Sequence, residues 1–399
     1  MRILIADKFP EEGLEHLRLQ GHEVTFDPDL TGPDLVAAVP GHDVLVVRST
    51  KVEAEVIAAA DSLSLIVRAG AGTNTIDKQA AAARAIYVSN VPGQNAVAVA
   101  ELTLGLILAI DRRIPDNVVD LRADIWNKAA YSKASGLMGR RLGVVGMGAI
   151  GLAVALRAAA FGLELHTLDK RRDAATAERV DELGFELHAD LPTLAASVDI
   201  LSFHVPATSD TRHLVNAALL SVLRPGTVLI NTSRADVVDE PALLAAIDER
   251  DLWVGVDVLA DEPSAGTGEV RSALARHPRV YATHHIGAST AQAQQAVAAG
   301  VLEVVDAFDT GTVLNCVNLQ PRVPDTTTIT VRHRDRVGVL ANLLMLIRDA
   351  DINVKTMSNL VFQGQEAATA TLDLKGAITE DLLDQLRALP NVFHVRINA

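Results

Sequence analysis

The stretch that most narrows what this chain can fold into runs from residue 140 to 170, RRLGVVGMGAIGLAVALRAAAFGLELHTLDK. A β-branched run ends in Gly146-Met147-Gly148-Ala149-Ile150-Gly151, an uninterrupted helical segment follows, and a second apolar run ends at Asp169. A lone GxGxxG is weak, because glycines recur in ordinary turns. Strand, glycine loop, helix and acid at this spacing describe a dinucleotide-binding βαβ unit. Gly146 permits the tight turn, Gly148 removes a side chain where backbone meets pyrophosphate, and Gly151 lets helix and strand pack closely. The helix N-terminus offers N–H groups and positive dipole to phosphates. Asp169 is suited to the adenosine ribose hydroxyls and repels a 2′-phosphate, so NAD is expected rather than NADP. Lys170, Arg171 and Arg172 are read as a solvated basic turn.

The same alternation extends along most of the chain. RILIAD, DVLVVRS, LSLIVRAG and IYVSN read as strands before the glycine loop, and VDILSFHV, GTVLINTSR, LWVGVDVL and VYATHHIG after it. Continuous apolar strands with helical crossovers imply parallel sheets covered on both faces, and this number of strands implies two α/β units. The apolar run at 96–110 holds Glu101 and is shorter than the ~20 residues needed to span a bilayer, so it reads as a buried helix. Polar, Pro- and Thr-rich composition at 317–328 reads as a linker. The β-α-β-β-α-β pattern after it is a small ferredoxin-like unit.

Composition excludes some partners. The 399 residues carry a net charge of -14, which argues against nucleic acid and must be overcome locally wherever an anion binds. Cys316 is the only cysteine, which fits a reducing cytoplasm, and MRILIADKFP does not read as a signal peptide. No metal site and no membrane association are expected.

Three residues fall at or after strand ends, where a parallel sheet places its binding crevice: Arg234, Glu262 and a histidine of the pair His284-His285. A guanidinium matches a carboxylate, an imidazole is suited to moving a proton near neutral pH, and a carboxylate can orient it. Taken singly, each also reads as a surface ion pair, a solvated loop acid or a satisfied polar group. Alternation along a strand would let only one of the two histidines face the crevice.

With these residues in place, VVRSTKV, RAGAGTNTID, NAVAVAELTLGLILA, VVGMGAIG, INTSR…VVDE, VDVLADEP and HIGAST closely resemble the D-isomer-specific 2-hydroxyacid dehydrogenase family over essentially the whole chain. The resemblance implies two Rossmann-like domains with the cofactor in the cleft between them. The substrate domain takes residues 1–95 with a return segment at 283–316, and the NAD domain takes 96–282. It assigns Arg234, Glu262 and His285 as the catalytic set. It implies cofactor contacts from Ala149, Ile150, Pro206, Thr211, Thr232, Ser233, Asp257, Gly287 and Ala288. Substrate contacts fall to Arg48, Ser49, Ala69, Gly70 and Asn95, with Arg48 the partner of a substrate phosphate. Lys128 resembles a lysine that reaches the phosphate from a neighbouring subunit of a homo-oligomer. Two departures stand out: His284 replaces a proline, and Ala235-Asp236 follows the arginine where glycine is usual.

Residues 327–399, after a linker at 317–326, resemble an ACT domain, implying an L-serine effector site at His333, Asp335 and Asn353. The activity implied is NAD-dependent oxidation of 3-phospho-D-glycerate to 3-phosphohydroxypyruvate in serine synthesis. The alternatives are another D-2-hydroxy acid (2-hydroxyglutarate, glycerate, glyoxylate or hydroxypyruvate) and an NAD-sensing corepressor.

Overall fold

The computed structural model describes residues 1–263, 267–320 and 324–398, so part of the segment 317–326 expected as a linker lies outside the described residues. The chain divides into two compact units, Met1–Asn318 and Leu319–Ala399.

The first unit holds two parallel sheets. One contains β1 (Arg2–Ile5), β2 (Glu23–Phe26), β3 (Val44–Val47), β4 (Leu65–Arg68) and β5 (Tyr87–Asn90), in the order β2-β1-β3-β4-β5. Its inner strands are runs such as VLVV, buried on both faces, as a helix-covered parallel sheet demands. The helix Ala291–Asp309 returns to this sheet, packing Val301, Val304 and Val305 against Ile3, Val44 and Leu65. Ser89 then bridges Cys316 in antiparallel register.

The second sheet contains β6 (Arg141–Val145), β7 (Glu164–Leu168), β8 (Glu186–His188), β9 (Ile200–Phe203), β10 (Val228–Asn231), β11 (Trp253–Val256) and β12 (Val280–Ala282). Their order is β12-β11-β10-β9-β6-β7-β8, so direction along the sheet reverses between β6 and β9 and opens a crevice at the strands' carboxyl ends. Both sheets are Rossmann-like. The apolar run at 96–110 forms the helix Ala96–Arg112, whose Leu106 and Ile110 pack over Gly255 of β11. Among the described residues no helix is long and apolar enough to cross a membrane.

Two strands escape the sequence reading, β2 and β8. Both are sheet edges: β2 is largely exposed, and β8 has only three residues. Such strands carry too little apolar repeat to be recognised.

The second unit is an antiparallel sheet of β13 (Thr327–Arg334), β14 (Asn353–Val361), β15 (Ala367–Lys375) and β16 (Val392–Ile397), in the order β14-β15-β13-β16. Alternate residues of β15, Ala370, Leu372 and Leu374, join Leu343 and Ile347 of the helix Val339–Asp349 and Leu383 and Leu386 of the helix Glu380–Ala388 in one core. This is the β-α-β-β-α-β arrangement and fits an ACT-like domain.

At the glycine loop Gly146 has φ +102°, and a Cβ there would collide with the His204 carbonyl oxygen. A Cβ on Gly151 would collide with the Gly146 carbonyl oxygen, whereas one on Gly148 would meet nothing within 4 Å. Gly146→Ala should therefore destabilise the fold by roughly 1–3 kcal/mol, read as a lower urea midpoint. Gly148→Ala should leave that midpoint nearly unchanged.

Candidate active site

A cleft of about 1770 Å³ lies between the two sheets of the first unit, with Arg48, Arg68, Asn95, Arg234, Glu262 and His285 on its walls. The two histidine-site residues and the arginines arrive at or just after strand carboxyl ends, and Asn95 at the start of the helix Ala96–Arg112.

His285 and Glu262 meet directly, with Nδ1 2.7 Å from Oε2. The other Glu262 oxygen, Oε1, accepts from the Leu259 N–H at 2.9 Å, so the carboxylate is fixed before it orients the ring. With Nδ1 on Glu262, Nε2 is the atom left to exchange a proton. The strand alternation expected to turn only one of the two histidines to the crevice does not apply, because β12 ends at Ala282 and both stand in the loop beyond it. His284 and His285 both line the cleft; only His285 has the carboxylate partner, and it sits at φ +51°. That loop is pinned by Asp257, which is 2% exposed. Its Oδ1 accepts from Thr283 Oγ1 (2.6 Å) and the Ile286 N–H (2.9 Å), and its Oδ2 from the Gly287 N–H (2.8 Å). All these bonds are internal, so its first task is to hold the histidine loop.

Arg234 follows β10. Asn231 braces it, donating from Nδ2 to the Arg234 carbonyl at 2.9 Å and accepting from the Ser233 N–H and hydroxyl. Ala235 opens a 3-10 turn without positive φ, so alanine in place of the family's glycine is unstrained. No ion pair joins Asp236 to Arg234 among the described residues.

Arg68 was not singled out in the sequence, yet it stands beside Arg234 and Arg48. Burial, then the charges of Arg234 and Arg48, lowers its pKa to about 10, and its Nε lacks a hydrogen-bond partner. Its guanidinium lies across Gly70, where a Cβ would collide with it, and Arg234 Nη2 lies 2.5 Å from the Cβ position of Gly72. The two glycines of RAGAG thus clear space for two cations. Opposite them, Asp7 Oδ2 accepts from the backbone N–H groups of Arg48 (2.6 Å), Ser49 (3.1 Å) and Thr50 (3.1 Å), presenting that loop to the cleft. Three guanidinium groups held together in a chain of charge -14 create a local demand for an anion.

The remaining expected contacts divide. Ala69 and Gly70 line the cleft, but the Ala69 N–H donates to Val47 O and the Gly70 carbonyl accepts from Val91. Asn95 caps its helix without a side-chain bond, leaving its amide toward the cleft. Ile150, Pro206, Thr232, Ser233, Gly287 and Ala288 line the wall. The Thr232 hydroxyl sits 3.0 Å from that of Thr103, tying its loop to the helix Ala96–Arg112, and the Thr211 hydroxyl donates to Pro206 O within its own loop. No side chain caps the helix Ala149–Ala160, and space is open over Gly148, which fits a pyrophosphate there. Asp169 is exposed beyond β7, with Arg172 folded back to donate to the Leu168 and Lys170 carbonyls rather than reaching outward. Lys128 is exposed at the start of the helix Lys128–Tyr131.

In the second unit, His333 is 1% exposed and uses both ring nitrogens internally, on Arg334 O (2.8 Å) and Asn359 Oδ1 (3.1 Å). His333 pairs with Ala368 and Asn353 with Lys375, placing them roughly 23 Å apart along β15. Asp335 adjoins the His333 end, its N–H donating to Glu366 O. The three do not converge in one chain.

His204, at the end of β9, also lines the cleft and was not foreseen. Its Nε2 lies 2.8 Å from Ser202 Oγ, its Nδ1 is buried without a partner, and burial pushes its pKa down to about 4 from 6.5. A histidine neutral in the fold but free to charge when unfolded gives stability that is complete above about pH 6.5 and is lost as pH falls toward 4. Urea midpoints between pH 7 and 4.5 should therefore fall more steeply for the native chain than for His204→Gln.

Residues 104–287 match the family model described as D-isomer specific 2-hydroxyacid dehydrogenase, NAD binding domain. D-3-phosphoglycerate dehydrogenase of Methanocaldococcus jannaschii is 32% identical over 389 residues, covering 97% of this chain and 72% of that one. Hydroxypyruvate reductase of Thermotoga maritima is 38% identical over 306 residues, covering 76% of this chain and 97% of that one. The chain spans 56% of the D-3-phosphoglycerate dehydrogenase of Mycobacterium leprae, at 39% identity. Among solved structures, D-lactate dehydrogenase from Escherichia coli superposes with a TM-score of 0.68 at 26% identity, over 79% of this chain and all of that one.

Proposed function

The chain belongs to the D-isomer-specific 2-hydroxyacid dehydrogenases, NAD-dependent oxidoreductases, and from that premise we propose that it oxidises 3-phospho-D-glycerate to 3-phosphohydroxypyruvate, the first step of L-serine synthesis. The observation that carries this reading is the guanidinium cluster beside the His285–Glu262 pair. A hydroxy acid with one carboxylate is met by one arginine, whereas Arg48 and Arg68 supply positive charge for a second, dianionic group. A relative bearing this activity's name also matches along 97% of the chain, second unit included.

Arg234 holds the substrate carboxylate and steadies the oxygen on C2. His285 Nε2 takes the hydroxyl proton while Glu262 keeps the ring in place through Nδ1. NAD, when bound along the glycine loop, supplies the acceptor for the hydride leaving C2. The pair of sheets sets the angle between these groups, and Asp257 maintains the loop that delivers the base.

We assign the second unit to serine feedback. Because Asp335, beside the His333 end of β13, sits far from Asn353, one effector touching both needs two copies of the chain, which ties the effector to a homo-oligomer. Exposed apolar surface supports association: Val118, Val119 and Leu121 on the helix Ile114–Arg122, nearby Trp126, and Leu360 on the edge strand β14. The lone, unpaired Cys316 suits a cytoplasmic location.

A second reading, oxidation or reduction of an unphosphorylated D-2-hydroxy acid, is favoured by the similarity to a hydroxypyruvate reductase. NADH formation decides between them. We expect kcat/KM for 3-phospho-D-glycerate to exceed that for D-glycerate by at least about 100-fold, and Arg68→Ala to shrink that ratio by roughly 10-fold or more, since charge-assisted bonds are each worth ~1.5–3 kcal/mol. Equal kcat/KM values would hand the assignment to the second reading. His285→Asn should lower kcat by roughly 10²–10⁴-fold on either substrate.

A further inference from the structure

We propose that the outer edge of the seven-stranded sheet holds a divalent transition-metal ion, with Zn²⁺ the best match, through His166 Nδ1, His188 Nε2 and the Glu186 carboxylate. The parallel register of β7 and β8 sets His166 beside Glu186 and Leu168 beside His188. Residues two apart on a strand share a face, so all three side chains project on one side of the sheet. The two imidazole nitrogens lie 3.0 Å apart, and the Glu186 oxygens lie 3.8 Å from His166 Nδ1 and 3.7 Å from His188 Nε2. Zinc binds nitrogen and oxygen at about 2.0–2.2 Å, so two tetrahedral ligand atoms sit about 3.3 Å from each other. The observed separations bracket that value.

The chemistry of the donors agrees. Both histidines are nearly buried, at 4% and 6% exposure, and each offers a ring nitrogen of the kind zinc takes. The exposed Glu186 supplies the balancing charge from outside. Beside it opens a cavity of about 320 Å³, bounded by Ala159, Leu163, Leu183 and Gly184, which admits an ion and the water that would complete four-coordination. Two nitrogens and one carboxylate suit zinc, and also cobalt or nickel, ahead of calcium or magnesium. This edge is separate from the catalytic cleft; none of the three residues lines it. It adjoins the cofactor side of the sheet, because the Asp169 N–H donates to the His188 carbonyl at 2.7 Å. An ion here would lock the three-residue edge strand to its neighbour.

The competing account is that the two rings only share a hydrogen bond. Tag-free full-length protein, stripped with chelator, would be titrated with Co²⁺ and with Zn²⁺. We expect one equivalent per chain, intense visible absorption from tetrahedral Co²⁺ and a higher melting temperature with Zn²⁺. Glu186→Gln, a surface change, should weaken Co²⁺ binding at least tenfold without altering metal-free melting or NADH formation, and His188→Gln should abolish it. No saturable binding by the native chain, or equal binding by Glu186→Gln, overturns the proposal in favour of the plain hydrogen bond. Should His188→Gln fail to fold, the Glu186 variant decides alone.

Discussion

One buried carboxylate underlies the working geometry of this protein. Asp257, at the end of β11, gathers a hydroxyl and two backbone N–H groups from residues 283–287 onto its two oxygens. A carboxylate at 2% exposure is tolerable only when its lone pairs are filled, and here the filling is the fold of the loop itself. Because that loop carries His285, the imidazole's position is set by hydrogen bonds made several residues away. Glu262 completes the arrangement from the other side, and is itself restrained by the Leu259 N–H. His285 is thus held by two carboxylates, one acting on its loop and one on the ring.

The opposite wall of the cleft follows a different logic. Arg48, Arg68 and Arg234 come from three strand ends in two sheets; among the described residues no salt bridge reaches them, and Asp7 is the acid whose charge is felt at Arg68. Gly70 and Gly72 matter because guanidinium groups occupy the space their side chains would need. Packing like charges this closely works against the folded state, and such a feature persists where a ligand supplies the missing charge.

Much of this was legible in the sequence, for identifiable reasons. The glycine loop announced the nucleotide-binding sheet because strand, turn and helix each leave a local signature, and the long apolar strands of a parallel sheet are hard to mistake. Arg234, Glu262 and His285 were visible from their residue types at strand ends. The edge strands β2 and β8 were not, since three or four half-exposed residues carry no periodicity. Arg68 was quoted within RAGAG yet passed over, because nothing local distinguishes a strand-end arginine that is about to be buried beside two others. The choice of His285 over His284 came from the family resemblance, and the strand alternation set beside it does not extend that far; in the fold the two are distinguished by the contact with Glu262, 23 residues away, which only the tertiary structure supplies. His333 likewise looked like a ligand contact in sequence and is instead consumed by Arg334 and Asn359.

The clustered arginines have a practical consequence for anyone handling this protein. Such a cluster of guanidinium groups attracts small polyanions, so phosphate or sulfate in a preparation would compete with any other anion offered to the cleft. Affinities recorded in such media would report displacement rather than simple association, and the choice of buffer becomes part of the measurement.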